Sequence, residues 1–393
     1  MTVPGFKFAA AAAGIKKTGG LDLALMVAAA PAAAAGVYTT NRVKAAPLLV
    51  CRERLRSGKA QAILVNSGNA NAATGPEGLK AARQTTRLAA ALLKVPAGLV
   101  LPASTGVIGQ PLPVAKIKDT LPELVARLDP GGLPQVAQAI MTTDTRPKEA
   151  FARIKIDGRL VTLAGVAKGA GMIHPDLATL LVFLFTDAAA TPAVLNILLR
   201  QALPLSFNRI TVDGDTSTND TILLLASGRA GNSLIKEKGP AMAALGEALT
   251  EVMSDLARQV VADGEGAKRL YRVMVQGAAT PGDALKAART VATSPLVKTA
   301  MTGADVNWGR IMAALGRSGA RFNPQKVEIA FGDHPVVRHG QGLGPEAEAR
   351  AQKTILSGPF TVHIHLHRGD FADYYDTCDL SEEYIQINAS NRS

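Results

Sequence analysis

Residues 180–185 read Leu-Leu-Val-Phe-Leu-Phe, six apolar side chains without a break. A strand with one wet face alternates apolar and polar residues, so an unbroken run this short predicts a strand buried on both faces. Such a strand needs a covering layer on either side. The rest of the chain supplies candidates, because short β-like runs alternate with alanine-rich helical ones. Ala62–Val65, Leu99–Pro102, Lys326–Phe331 and Phe360–Leu366 read as strands, and Ile154–Val166 as a hairpin turning at Asp157-Gly158. Ala81–Leu93, Val136–Ile140, Ala241–Val261 and Ala284–Ala292 read as helices. This mixture predicts an α/β or α+β architecture, and 393 residues suffice for roughly two to three cores.

Charge narrows the partners. The chain carries 43 Lys+Arg against 32 Asp+Glu, a net +11, which favours anionic ligands: nucleic acid, acidic lipid or a small carboxylate. Nucleic-acid binders concentrate their cations and present stacking rings. Here the cations are spread and aromatic residues make up only 4%, so no nucleic-acid partner is expected. Nor is a membrane. The long uncharged segment Leu23–Asn41 is mostly alanine and is interrupted by Pro31 and Gly36, whereas a spanning helix needs about 20 strongly apolar residues. The first ten residues lack a basic start and apolar block. Two cysteines, Cys51 and Cys378, exclude a disulfide scaffold and a four-cysteine zinc site. The expectation is a soluble cytoplasmic protein.

Polar and glycine-rich clusters follow several apolar runs: residues 66–71 (NSGNAN), 104–106 (STG), 142–145 (TTDT), 168–171 (KGAG), 213–221 and 263–266 (DGEG). Each is a turn former by composition, and each is also placed where a rigid scaffold presents function. Familiar cofactor signatures are missing. There is no G-x-x-x-x-G-K-[ST] loop, Gly169-Ala170-Gly171 lacks a third glycine, and no G-x-S-x-G elbow occurs. His363, His365 and His367 share one face of a candidate strand, but neighbours on that face sit roughly 6–7 Å apart, too far for three ligands on one zinc. No metal and no cofactor are expected.

The most informative stretch is Lys168 to Thr179, KGAGMIHPDLAT, which runs directly into the buried strand. A hydroxyl at the edge of such a strand is well fixed, yet a threonine nucleophile needs a base. Cutting the chain just before it supplies one, since the freed α-amine sits on the same residue as Oγ. That amine has an ordinary pKa of about 7.7–8.0, and a nearby cation such as Lys168 would lower it.

The segment KGAGMIHPDLATLL (168–181) resembles the self-cleavage motif of the ornithine acetyltransferase family, acyltransferases of arginine biosynthesis that make N-acetylglutamate. The resemblance extends in order along the chain. It includes GVYTTNRVKAAP (36–47), NSGNANAATG (66–75), ASTGVIG (103–109), IMTTDTRPK (140–148) and NRITVDGDTSTNDT (208–221). DGEGAKR (263–269), SPLVKTAMTGADVNWGRI (294–311) and INASNRS (387–393) complete the set. It implies a layered αββα sandwich with a smaller C-terminal lobe from about residue 280 to 393. It also implies scission between Ala178 and Thr179, giving an alpha chain (1–178) and a beta chain (179–393) that assemble as an α2β2 heterotetramer. Carried over by position, Thr179 is the nucleophile and Thr105 and Gly106 form the oxyanion hole. Thr142, Lys168, Thr179, Glu265, Asn388 and Ser393 hold substrate.

The implied reaction is glutamate N-acetyltransferase, with N2-acetylornithine as acetyl donor, glutamate as acceptor and acetyl-CoA as a further candidate donor substrate. Departures from the family pattern are Ala170, Leu177 and Leu180 for Ser, Met and Met, Asp176 for Asn, and Ser393 for Thr. The first three conserve size or nearly so, and Ser393 keeps its hydroxyl. The rival enzyme reading is an N-terminal-nucleophile aminopeptidase or amidase of related fold.

Overall fold

The computed structural model describes residues 2–174 and 180–390, so Ala178, Thr179 and Ser393 lie outside the described residues. The chain divides into two compact units, Met1–Asn208 with Asp215–Val260, and Arg209–Gly214 with Val261–Asn391. Strands are β1 (Phe6–Ala11), β2 (Leu23–Tyr38), β3 (Lys59–Asn66), β4 (Val100–Ser104), β5 (Lys148–Ile156), β6 (Arg159–Lys168), β7 (Leu181–Thr186) and β8 (Ile210–Thr211). They continue as β9 (Thr221–Ala226), β10 (Leu270–Ala278), β11 (Glu328–Phe331), β12 (His334–Arg338), β13 (Gln341–Gly342), β14 (Phe360–His365) and β15 (Phe371–Cys378).

The first unit is an αββα sandwich, as expected. Its strands run β4-β3-β2-β9-β7-β6-β5, with β1 also on β2. The long β2 joins the two halves. Its first part pairs with β1 and β3, the β3 register shifts between Val27 and Ala32, and Ala33–Tyr38 then pair with β9. Between the halves, Phe6 and Phe8 of β1 meet Phe185 of β7 edge-on, each with ring centroids 5.1 Å apart. Met26, Ile63, Val65, Leu101, Val166, Phe183 and Leu223 fill the same core.

Helices cover the outer faces. Gly75–Leu93 and Val114–Ala126 pack on Ala9, Ala11, Leu23, Leu25 and Leu64. On the other side Leu256, from the helix Pro240–Ala262, reaches Gly165 of β6, where an added Cβ would stand 3.0 Å from it. With cover on both sides, β7 is buried at all six positions.

The alanine-rich β2 departs from the helical reading of alanine-rich runs. Alanine's intrinsic preference is helical, but tertiary packing overrides a preference of this size. Its small residues are what the site tolerates. A Cβ on Gly36 would come 2.8 Å from the Tyr38 hydroxyl and 2.9 Å from Leu223. The hairpin falls where expected, with Asp157 and Gly158 both left-handed (φ 51° and 72°), the conformation of a tight turn between twisted strands.

The second unit holds a seven-stranded sheet, β13-β12-β11-β14-β10-β15-β8. Buried residues alternate in β14, and Tyr271, Val273, Val275, Val362 and Ile364 pack against Ala284, Ala287, Ala288 and Val291 of the helix Pro281–Ala292. His363 and His365 take the half-buried face, and His367 lies beyond the strand with its ring 3.8 Å from that of His365. Among the described residues no group of three or more His, Cys, Asp or Glu is arranged to hold a metal ion, and no helix is long and apolar enough to cross a membrane.

Phe185 carries the contact between the two sheet halves. Phe185→Ala is expected to cost about 3–5 kcal/mol, read as a lower urea midpoint, whereas Phe185→Leu should cost less than half as much.

Candidate active site

Strands β3 and β4 are parallel neighbours, so the loops leaving their carboxyl ends lie side by side. The Thr105 N–H donates to Asn66 O (3.0 Å), and the Ser104 hydroxyl to Asn66 Oδ1 (2.6 Å). The Asn219 amide joins the two loops, donating to Ala70 O and Ser104 O at 2.7 Å each. Gly106 has φ 127°, and a Cβ there would lie 2.4 Å from the Gly68 carbonyl carbon and 2.5 Å from Asn69 N. Only glycine lets these backbones approach so closely. The polar clusters at 66–71 and 104–106 are therefore one bonded assembly that fixes the backbone of Thr105 and Gly106.

A buried charge cluster lies at the end of β6 and the start of β5. Asp144 accepts the Thr142 N–H (2.9 Å), the Gly169 N–H (2.7 Å) and the Lys148 ammonium (2.6 Å). Both side chains of the Lys148–Asp144 pair are fully buried. Burial by itself would raise the Asp144 pKa; Lys168 and Lys148, with the hydrogen bonds from Lys148 and Thr142, outweigh it and hold the carboxyl at about 2. Lys168, itself buried, is the last residue of β6, and one carboxylate thus ties Thr142 to the Lys168-Gly169 turn.

Across β6, Lys168 pairs in register with Leu181, which also pairs with Thr221 of β9. Leu180 is pinned at both backbone groups. Its N–H donates to Asp220 Oδ1 (3.0 Å) and its carbonyl accepts the Thr221 N–H (3.0 Å). Burial pushes the Asp220 carboxyl well above the usual carboxylate range, against the opposing pull of the Thr39 hydroxyl, the Leu180 amide and Lys168.

Among the described residues, the remaining expected ones, Glu265 and Asn388, belong to the second unit. Asn388, on the helix Glu382–Ser390, donates to Glu265 Oε2 at 2.7 Å. The Glu265 loop is closed by its neighbours, because Ser381 Oγ donates to Gly266 O (2.6 Å) and Gly266 is left-handed with the Tyr384 backbone against it.

The ArgJ family model matches residues 7–393. The chain belongs to the ArgJ family. It is 50% identical over 393 residues to the arginine biosynthesis bifunctional protein ArgJ of Geobacter sulfurreducens, covering 100% of both chains. The ArgJ protein of Symbiobacterium thermophilum is 48% identical over 396 residues, covering 100% of this chain and 98% of that one. A solved structure of ArgJ from Bacillus halodurans matches at 39% identity with a TM-score of 0.51, covering 53% of this chain and 97% of that chain. Membership makes the protein an acetyltransferase of arginine biosynthesis.

Within this ArgJ-family chain, Thr105 and Gly106 adjoin in one loop, and Thr142 and Lys168 meet through Asp144. Glu265 and Asn388 meet by direct hydrogen bond in the second unit. Residue spacing does not single out Asp144, Lys148, Asp220 or Asn219, although all four lie in polar motifs. A charged or amide residue beside strongly apolar runs is the available signal, since such groups are buried only when fully partnered.

Asp144→Asn should destabilise the protein by about 3–5 kcal/mol at pH 7, because it removes the carboxylate from a buried ammonium. A depressed carboxyl stabilises the fold above its unfolded pKa and loses that contribution as pH falls through the folded value. The gap between wild type and variant, read from urea midpoints, is therefore expected to be constant above about pH 4 and to narrow towards pH 2.

Proposed function

We propose that this acetyltransferase moves the acetyl group of N2-acetylornithine to glutamate through an acetyl ester on Thr179, after the chain has cut itself between Ala178 and Thr179. The observation that carries the reading is the anchoring of Leu180. The residue after the proposed nucleophile is held by Asp220 and Thr221 beside the Lys168 end of β6, at the head of a strand buried on both faces. The backbone directly after the proposed nucleophile is therefore anchored, and positioning is a main requirement of acyl transfer within a site.

In the first half-reaction Thr179 Oγ attacks the acetyl carbonyl and its own α-amine takes the hydroxyl proton. The Thr105 hydroxyl and the Gly106 N–H receive the developing oxyanion, each donor contributing about 2.7–4 kcal/mol. The proton passes to the departing α-nitrogen of ornithine. Glutamate's amine then attacks the ester, and the same groups run the steps in reverse. Thr142 and Lys168 suit a substrate carboxylate, and Glu265 suits an ammonium, with Asn388 and Ser393 completing the contacts. Scission yields residues 1–178 and 179–393, assembled as an α2β2 heterotetramer in the cytoplasm. Acetyl-CoA serves as alternative donor in the bifunctional form of the reading, a form supported by the name of the full-length relatives.

Thr179→Ala should remain one 40.8 kDa polypeptide and take up no acetyl group, whereas wild type should give two chains, with acetylornithine adding one acetyl to that beginning Thr-Leu-Leu-Val. Denaturing mass spectrometry reads both. A processed Thr179→Ala chain would refute the assignment, and release of free acetate independent of glutamate would favour an amidase.

A further inference from the structure

Lys16 has no role in the reaction above, yet it is built into the same neighbourhood. The Asp22 carboxylate gathers three backbone amides, accepting the Ala13 N–H at Oδ1 (2.6 Å) and the Ile15 and Lys16 N–H groups at Oδ2 (2.5 and 3.0 Å). This fixes the Lys16 backbone against Gly68, where a Cβ would stand 3.0 Å from Lys16 N. Gly68 is in turn the residue against which Gly106 packs.

The Lys16 side chain runs the other way. Its ammonium donates to Leu21 O (2.8 Å) and to Ala139 O (3.4 Å), a carbonyl that also accepts the Ser67 hydroxyl at 2.5 Å. Two of its three hydrogens are thus turned to backbone carbonyls, the second at a long distance. The half-buried ammonium lies within electrostatic reach of Asp144 and Lys168. Lys16 therefore packs its backbone on the glycine that meets Gly106 and carries its charge to the carbonyl of Ala139, three residues before Thr142.

The two substrates pose a specific electrostatic problem. Both carry an α-carboxylate, but the side chain of glutamate ends in a second carboxylate where that of ornithine ends in an ammonium. A single cation satisfies only the shared group. We propose that Lys16 is the cation that holds the side-chain carboxylate of glutamate in the second half-reaction, making it the residue that sets acceptor specificity. The inference rests on the reading that Thr142 and Lys168 hold substrate.

The test uses the processed full-length enzyme. Lys16→Gln keeps a donor for the Leu21 carbonyl and removes the charge; Lys16→Arg keeps the charge; Lys17→Gln, at the exposed neighbouring cation, controls for net charge. Lys16→Gln is expected to raise KM for glutamate roughly 10- to 100-fold, the span of a lost charged hydrogen bond. Its preference for glutamate over glutamine as acceptor should collapse by the same factor. Lys16→Arg should recover part of both, and Lys17→Gln should change neither. Formation of the acetyl-enzyme from acetylornithine alone, followed by mass, should change by less than about threefold in Lys16→Gln, because the donor half-reaction does not use this charge. A parallel fall in both half-reactions, or an unaltered glutamate-to-glutamine ratio, would overturn the inference. Absence of the acetyl adduct on Thr179 in wild type would instead overturn the nucleophile, and the acceptor ratio would still decide on Lys16.

Discussion

Strand β7 is enclosed on every side. Its edges are hydrogen-bonded to β6 and β9, one face meets the aromatic contact of Phe6 and Phe8, and the other lies on the side covered by Leu256 of the helix Pro240–Ala262. An element with no wet face has no low-energy alternative position, because displacing it would unpair two ladders and open a packed core at once. The proposed acetyl-transfer chemistry is set at the mouth of that strand, and Leu180 passes the rigidity on through its two backbone hydrogen bonds.

Three buried carboxylates tie the surrounding loops together. Asp144, Asp22 and Asp220 all accept backbone N–H groups, and each ties a loop to a strand or to another loop. The electrostatic states of Asp144 and Asp220 differ for a plain reason. Asp144 has two ammonium groups to offset burial, and Asp220 does not, so one carboxyl is driven down and the other up. The same fold thus holds one carboxyl pushed down and another pushed up close to one buried lysine, Lys168.

Much of this architecture can be read from residue order. The run at 180–185, the hairpin at Asp157-Gly158 and the helices near 81–93, 241–261 and 284–292 result from periodicity and turn chemistry, which act locally. The alanine strand β2 cannot be read that way. Its identity depends on partners at 59–66 and 221–226, and no local preference of Ala-Ala-Ala-Pro-Ala reports them. The loops that carry Thr105, Gly106 and Thr142, and the strand end at Lys168, are legible as polar clusters after apolar runs. The joining residues, Asn219 and Asp144, are not, since a hydrogen bond spanning 115 residues leaves no trace in spacing.

The pairing of β2 with β9 and of β6 with β7 joins the chain before residue 175 to the chain after residue 179. Twelve residue partnerships, six in each ladder, cross that point. A nick there divides the covalent backbone but leaves the pieces zipped into one sheet, with the aromatic contact of Phe6, Phe8 and Phe185 buttoning them together. Severed this way, the two polypeptides would part only by unfolding, and refolding would have to bring two separate molecules to meet. Breakage of this kind would run in one direction, which suits an event used once per lifetime to arm the protein.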